Sequence, residues 1–338
     1  MTLKERINLL SKLGNYLASE DEFLQAVLHR VAYNNAWLTK ENSLRAAKAL
    51  GTQCLNLSAL TNWAAFYQVA NTPKSKKVGL VLSNQEPMDG ILDIAAIFLT
   101  GHQAIIKVSE HNEYTVPHLL KMMVKWNPAS ASYFQIADFL KGFDAIIASK
   151  STKENSYFDR YFGKYPHILR TNQSSIAVLT GAETDADLLA LGDDICAYFG
   201  LTKENVSKIF VPRNYDLDHL LKMLHEYNEM VLNTRYKNNF DYNYSLYLLN
   251  NESFKANGCI LLTEDQTVQS RIACLHYEYY DEADLLPQLI ENQRDQIYQV
   301  VSEQPIEGIP TKKMGTCHIP DLFNYAGSQD TMQFLWLL

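Results

Sequence analysis

The chain has 338 residues, enough for about two domains and a sizeable core. With 47% hydrophobic and 20% charged residues it is neither a disordered tail nor a fibrous repeat. Thirty Lys+Arg against 38 Asp+Glu give a formal charge of −8, which argues against the basic face that a nucleic-acid binder needs. The longest apolar run, Gly90–Gly101, is interrupted by Asp93 and is shorter than the roughly 18 residues of a membrane span. Met1–Ile7 is charged and amphipathic, with no apolar signal core, so a soluble, cytoplasmic protein is expected.

Residues 1–70 read as helical. Phe23, Val27 and Val31, then Leu38, Leu44 and Ala47, recur at helical spacing, and Thr39 can cap the second segment. A polar break, Asn71–Lys77, precedes a buried strand over Val78–Leu82. A helix over about 88–100, a strand over Gln103–Val108, a helix opened by Ser109 and running to about 125, and a strand over Phe143–Ala148 follow. This alternation indicates a parallel sheet with right-handed crossovers, of the dinucleotide-binding type.

The second half repeats it. Strands are expected over Ser175–Leu179 and Lys208–Pro212, and helices over Thr184–Tyr198 and Asp216–Asn233. Three further strands are expected over Tyr244–Leu249, Gly258–Leu262 and Ala273–Tyr279. The spacing divides the chain into residues 1–178, a helical N-terminus with a dinucleotide-binding domain, and residues 179–309, a second α/β domain. The tail 310–338 could return to the first.

Five cysteines (54, 196, 259, 274, 317) form no CxxC pair, and nine histidines form no HExxH, so neither a disulfide framework nor a metal site is expected. Neither His276 nor His318 has a partner visible in the sequence. Thr-Lys-Glu-Asn occurs at 39–42, 152–155 and 202–205, a pattern that reads locally as a helix start.

Several segments go further than composition. They are Gln85-Glu-Pro-Met-Asp-Gly90, Gly101-His-Gln-Ala-Ile-Ile-Lys-Val-Ser109, Phe143–Ala148, Arg170-Thr-Asn172 before Ala177–Gly181, and Tyr198–Leu201 before Asn205–Lys208. Asn239–Asn243, Tyr277–Asp281 and Asp330–Leu335 follow. In this order the chain resembles the LuxC-type acyl-CoA reductase family of the aldehyde dehydrogenase superfamily, over about residues 30–336. The resemblance implies an aldehyde-dehydrogenase-like α/β fold, with a Rossmann-type parallel-sheet cofactor domain and a second α/β catalytic domain. It implies an acyl-CoA or related acyl thioester as substrate and NADP(H) as cofactor. The acyl group would pass to a cysteine and be released by hydride as aldehyde. A thiolate suits that role because its thioester stays electrophilic.

Carried over residue by residue, Lys107 and Ser109 match the Lys-x-Ser where the adenosine ribose or its 2′-phosphate would lie, and Ser149 and Ser151 flank the cofactor turn. Lys150 stands where glycine is usual, which puts cofactor binding in doubt. Gln85 takes the oxyanion-donor position usually held by asparagine. Arg170 and Asn172 match an Arg-x-Asn that braces the inter-domain strand or meets the cofactor, bracing being the favoured role.

The main departure lies at Leu201-Thr-Lys-Glu-Asn205, where Lys203 stands at the catalytic cysteine's place and Thr202 at a glycine's. An acylated lysine is an amide, too stable for hydride, so Lys203 is no substitute for the nucleophile. Cys196 is the nearest thiol, about two helical turns away if the helix continues, and flanks an apolar stripe. Two readings follow. One is a reductase of this type with its covalent chemistry lost or impaired. The other is a non-catalytic binding or partner subunit of an active relative, in a homo- or hetero-oligomer.

Overall fold

Side-chain caps start the N-terminal helices. In the computed structural model, which describes residues 1–338 other than 72–73, 83–85, 109–112, 150–160, 171 and 326–328, and only the backbone at Ser149, Thr2 and Glu5 cap each other's backbone N–H groups to open α1 (Leu3–Leu17). Asp21 caps α2 (Glu22–Asn34), Thr39 caps α3 (Lys40–Ala49), and Asn56 caps α4 (Leu57–Phe66) after a π-helical turn at Leu50–Cys54. Gly14 and Gly51 let α1 and that turn touch; a Cβ at either would overlap backbone atoms.

Five strands follow: β1 (Lys77–Val81), β2 (Gln103–Lys107), β3 (Phe134–Ile136), β4 (Ala145–Ser149) and β5 (His167–Arg170). They form a parallel sheet in the order β3-β2-β1-β4-β5, with Val78 opposite Ala104 and Ala145. The apolar runs of β1, β2 and β4 lie buried in it, as a parallel sheet requires. The crossover helices are α5 (Ile91–Leu99), which buries almost its whole surface, and α6 (Thr115–Trp126). Strands β3 and β5 are short and were not expected.

Residues 1–172 and 319–338 make one compact unit, and residues 173–318 make the other. Within the first unit, the fully buried Arg6 of α1 donates to four carbonyls: Leu99 (3.0 Å), Met1 (2.7 Å), Asn71 (3.3 Å) and Ala70 (3.1 Å). It thereby caps the C-terminus of α5, where orphan carbonyls and the helix dipole favour a cation.

The C-terminal helix, Thr331–Trp336, is pinned in this unit at three points. Tyr67 donates to Asp330 (2.5 Å), Arg170 to Thr331 (3.1 Å), and His102 Nε2 to the Leu335 carbonyl (2.9 Å). The Lys76 N–H donates to His102 Nδ1 (3.1 Å), which fixes that tautomer and leaves no room for a second ring proton. Burial holds the His102 pKa below its usual value. A group lowered on folding contributes stability that is complete above the unfolded value of about 6.5 and is lost as pH falls below it. All four tryptophans (37, 63, 126, 336) lie in this unit, so their fluorescence reports its unfolding. Its denaturation midpoint should fall between pH 7 and pH 5.5, and the gap between wild type and His102→Gln should narrow over that range; a constant gap would remove His102 from this role.

The second unit carries β6 (Ser174–Val178), α7 (Asp185–Cys196), β7 (Val206–Pro212), α8 (Leu217–Leu224), α9 (Thr234–Leu249), β8 (Phe254–Ala256), β9 (Leu261–Glu264), β10 (Cys274–Tyr280), α10 (Leu286–Glu291), β11 (Ile297–Val301) and β12 (Thr311–Lys312). Its sheet runs β12-β11-β6-β7-β10-β9-β8, parallel except for β8 against β9. The sequence spacing placed a boundary at 178, but β6 pairs with β7 and β11 and so belongs wholly to the second unit. The tail likewise rejoins the first unit at 319 rather than 310, because β12 pairs with β11.

Tyr244–Leu249 is the end of helix α9, not a strand. Tyr236, Phe240, Asn243 and Tyr247 are buried at helical spacing while Leu248 and Leu249 are exposed, and a six-residue apolar run cannot by itself distinguish the two. The helix expected over Asp216–Asn233 ends at Leu224 and continues as a 3-10 segment to Leu232.

Candidate functional site

Two of the four expected cofactor residues, Lys107 and Ser149, end strands of the first sheet. Lys107 ends β2, exposed, and Ser149 ends β4, with β1 between them. From β1 the chain crosses through α5 to β2 on one side, while β4 pairs on the other. The carboxyl ends of β1 and β4 therefore form the switch point where open α/β sheets bind ligands. Lys107 is exposed at the carboxyl end of β2, next to β1. Gln85, Ser109, Lys150 and Ser151 lie outside the described residues.

Arg170, at the end of β5, makes a bidentate pair with the buried Asp93 of α5 (2.6 and 2.5 Å). Burial opposes its charge, yet Asp93 outweighs it and drives the guanidinium pKa up. With Thr331 as a third contact, Arg170 ties β5, α5 and the C-terminal helix together, a brace within the first unit.

Lys203 sits on the turn between α7 and β7 in the second unit. α7 stops at Cys196, and Tyr198 (φ 53°), Phe199 (φ 61°) and Gly200 (φ 72°) are all left-handed, so no helix connects Cys196 to Lys203. Left-handed backbone costs roughly 1–2 kcal/mol for a residue with a Cβ, and two aromatic residues adopt it here in succession.

Asn205 holds this shape. Its Nδ2 donates to the carbonyls of Asp194 (3.1 Å), Ile195 (3.1 Å) and Ala197 (2.8 Å), and its Oδ1 accepts from Thr202 N (2.9 Å) and Oγ1 (3.0 Å). The Thr-Lys-Glu-Asn at 202–205 is thus a turn clamped by its asparagine, not a helix start; the copy at 39 does cap a helix, and the copy at 152 lies outside the described residues. Thr202 and Asn205 are both buried.

A charged cluster gathers on the turn. Lys203 Nζ lies 3.1 Å from Glu204 Oε1 and 5.4 Å from the centre of the Tyr298 ring. The His318 ring packs edge-on against Tyr198 (5.1 Å), with its Nε2 3.4 Å from Asn205 Nδ2. Burial pushes the Glu204 carboxyl up, but Lys203 and His318 together outweigh it and hold it below its usual value. Asp194, fully buried on α7, accepts from the backbone of Gly315 (2.7 Å) and Cys317 (3.0 Å), and burial raises it to about 6.

Gln299 of β11 donates to the Cys317 carbonyl (3.2 Å) and the Glu204 carbonyl (3.5 Å), while its buried Oε1 has no donor among the described residues. The sequence hid Glu204, Tyr298, Gln299 and His318 as a set, since about a hundred residues separate them. Only the Thr-x-x-Asn spacing of a side-chain-clamped turn was readable.

All five cysteines are free and buried. Burial raises every thiol, Cys54 to about 12, Cys259 and Cys274 to about 11, and Cys196 and Cys317 well above the usual range. Cys196 packs in the apolar core of the second unit. Among the described residues, no group of three or more His, Cys, Asp or Glu could hold a metal ion, and no helix is long and apolar enough to cross a membrane.

No protein-family model matches the chain, and no curated protein sequence matches it. Solved structures do. An apo betaine aldehyde dehydrogenase of Staphylococcus aureus superposes with a TM-score of 0.71 at 10% identity, over 99% of this chain and 82% of that one. The indole-3-acetaldehyde dehydrogenase AldA of P. syringae, in complex with NAD+ and IAA, gives 0.60 at 13% identity, over 89% and 72%. An NADP-dependent glyceraldehyde-3-phosphate dehydrogenase from Bacillus halodurans, complexed with NADP, gives 0.61 at 14%, over 89% and 74%. The chain has an aldehyde-dehydrogenase-like α/β fold.

Proposed function

We propose that this chain is an acyl-thioester- and nucleotide-binding protein of the LuxC-type acyl-CoA reductase pattern, with sulfur-based covalent catalysis lost or impaired. The observation that carries the reading is the burial of all five thiols together with a lysine at position 203. A buried thiol with a raised pKa supplies almost no thiolate at neutral pH, and the thiolate is the nucleophile. By the resemblance, Lys107, Ser109, Ser149 and Ser151 would hold NADP(H), a cofactor that would supply hydride, and Gln85 would take the oxyanion-donor role.

Purified protein given long-chain acyl-CoA and NADPH is expected to show no burst of aldehyde and no NADPH oxidation. Lys203→Cys alone should not restore turnover, because Thr202 stays buried and clamped beside it. NADPH should still raise the midpoint followed by tryptophan fluorescence; a ligand at 100 times its Kd adds about 2.7 kcal/mol. Clear turnover by the unaltered chain, abolished by Cys196→Ser, would overturn the reading.

A second reading, a binding or partner subunit of an active reductase, is favoured by one feature. Phe66 and Phe323 pack edge-to-face (5.2 Å) yet are 69% and 45% exposed, an aromatic surface on the first unit. Absence of any NADPH-induced shift would favour it.

A further inference from the structure

The 197–205 turn is more elaborately built than a chain connection requires. Three successive left-handed residues are held by one buried asparagine, and the side chain presented at the end of this construction is Lys203, 29% exposed. Strain that the surroundings over-determine collects where a side chain must be aimed. Beside the amine stand the Glu204 carboxylate, 3.1 Å away, and the Tyr298 ring, 5.4 Å away, while the His318 imidazole packs against Tyr198 and Asn205 of the same turn. Such surroundings suit an amine that must exchange protons in place. Carbonyl addition is the reaction of an amine that needs this.

We propose that Lys203 captures aldehydes as a reversible imine, so that the site holds its ligand through nitrogen. The proposal goes beyond the acyl-thioester-binding reading above and takes from it only that a carbonyl compound reaches position 203. Glu204 Oε1, 3.1 Å from Nζ, is placed to take the ammonium proton, and because, against burial, Lys203 and His318 hold its carboxyl below the usual value, it gives that proton back readily. The freed amine adds to the carbonyl carbon, the C=O π bond breaks, and a proton passes from nitrogen to oxygen to give a carbinolamine. Loss of that hydroxyl as water, with Glu204 returning the proton it took, forms the C=N bond. The net change converts an ammonium and an aldehyde into an iminium and one water. Charge is conserved, and the iminium keeps its pairing with Glu204. No electrons are transferred.

The test uses the full chain, hexanal and sodium cyanoborohydride, which reduces an iminium to a stable secondary amine, followed by peptide mass mapping. The expected result is an alkyl adduct on Lys203 forming at least roughly tenfold faster than on the exposed Lys4 and Lys48, which serve as internal controls. Glu204→Gln should slow labelling at Lys203 and leave the controls unchanged. Lys203→Arg should lose that adduct while retaining its thermal midpoint. Labelling of Lys203 at the rate of the surface lysines overturns the inference. If that occurs while NADPH still raises the tryptophan-detected midpoint, the imine alone has failed. Fast labelling of Lys203 without any NADPH shift supports the imine and counts against the nucleotide-binding reading.

Discussion

Replacing Arg6 with alanine is expected to destabilise the first unit by about 4 kcal/mol, more than most single substitutions. The guanidinium is 1% exposed and reaches four carbonyls, those of Met1, Ala70, Asn71 and Leu99. A hydrogen bond from a charged donor is worth roughly 1.5–3 kcal/mol, and a carbonyl left buried without a donor costs its desolvation besides. Burial pulls its pKa down, Tyr133 opposes that in part, and carbonyl dipoles at the end of α5 add to the compensation. Arg6→Met tests the division between packing and hydrogen bonding, since it keeps most of the apolar stem. If the hydrogen bonds dominate, Met should be nearly as harmful as Ala. For a unit of this size the tryptophan-detected midpoint should drop by roughly 10 °C. A drop of under about 2 °C would mean that water replaces the guanidinium at those carbonyls.

Asn205→Asp is expected to damage the second unit more than Asn205→Ala, although it is the closer match in shape. The amide donates to three carbonyls and accepts from Thr202. Alanine should cost about 3 kcal/mol through the groups it orphans. Aspartate puts a negative charge against three carbonyl oxygens inside a buried turn, and should cost more at pH 7. Its pKa in the folded variant must then lie above the unfolded value of about 3.9, so the variant regains stability as pH falls from 7 toward 4. Alanine shows no such recovery. Because the second unit contains no tryptophan, amide hydrogen exchange across residues 194–212 is the appropriate readout. Equal exchange in both variants at every pH would show that the amide does not hold the turn.

Strands β1, β2 and β4 of the first unit were legible because each is a short, mostly buried apolar run bounded by polar turns, whereas β3 and β5 are short and largely unburied and gave no such run. Val78–Val81, Ala104–Ile106 and Ala145–Ala148 need no partner to be read. The caps Thr39 and Thr184 were legible for the same local reason: side chain and backbone lie within three residues. Helix α9 was misread because its buried tyrosines mimic a strand run until the whole sixteen-residue period is seen.

The candidate site divides along the same line. Sequence alone named the candidate positions: Lys107 and Ser109, Ser149 and Ser151, and an amine at 203 where the resemblance implies a sulfur. Those are statements about residue identity, and they follow from order along the chain. Only the tertiary structure decided that every thiol is buried, that Arg170 pairs with Asp93, that Glu204 and Tyr298 stand beside Lys203, and that Gln299 and His318 pack against the same turn. Burial and charge pairing depend on which distant segments pack together. Asn205 and His318 stand 113 residues apart in the chain and 3.4 Å apart in space, and no local pattern encodes that closeness.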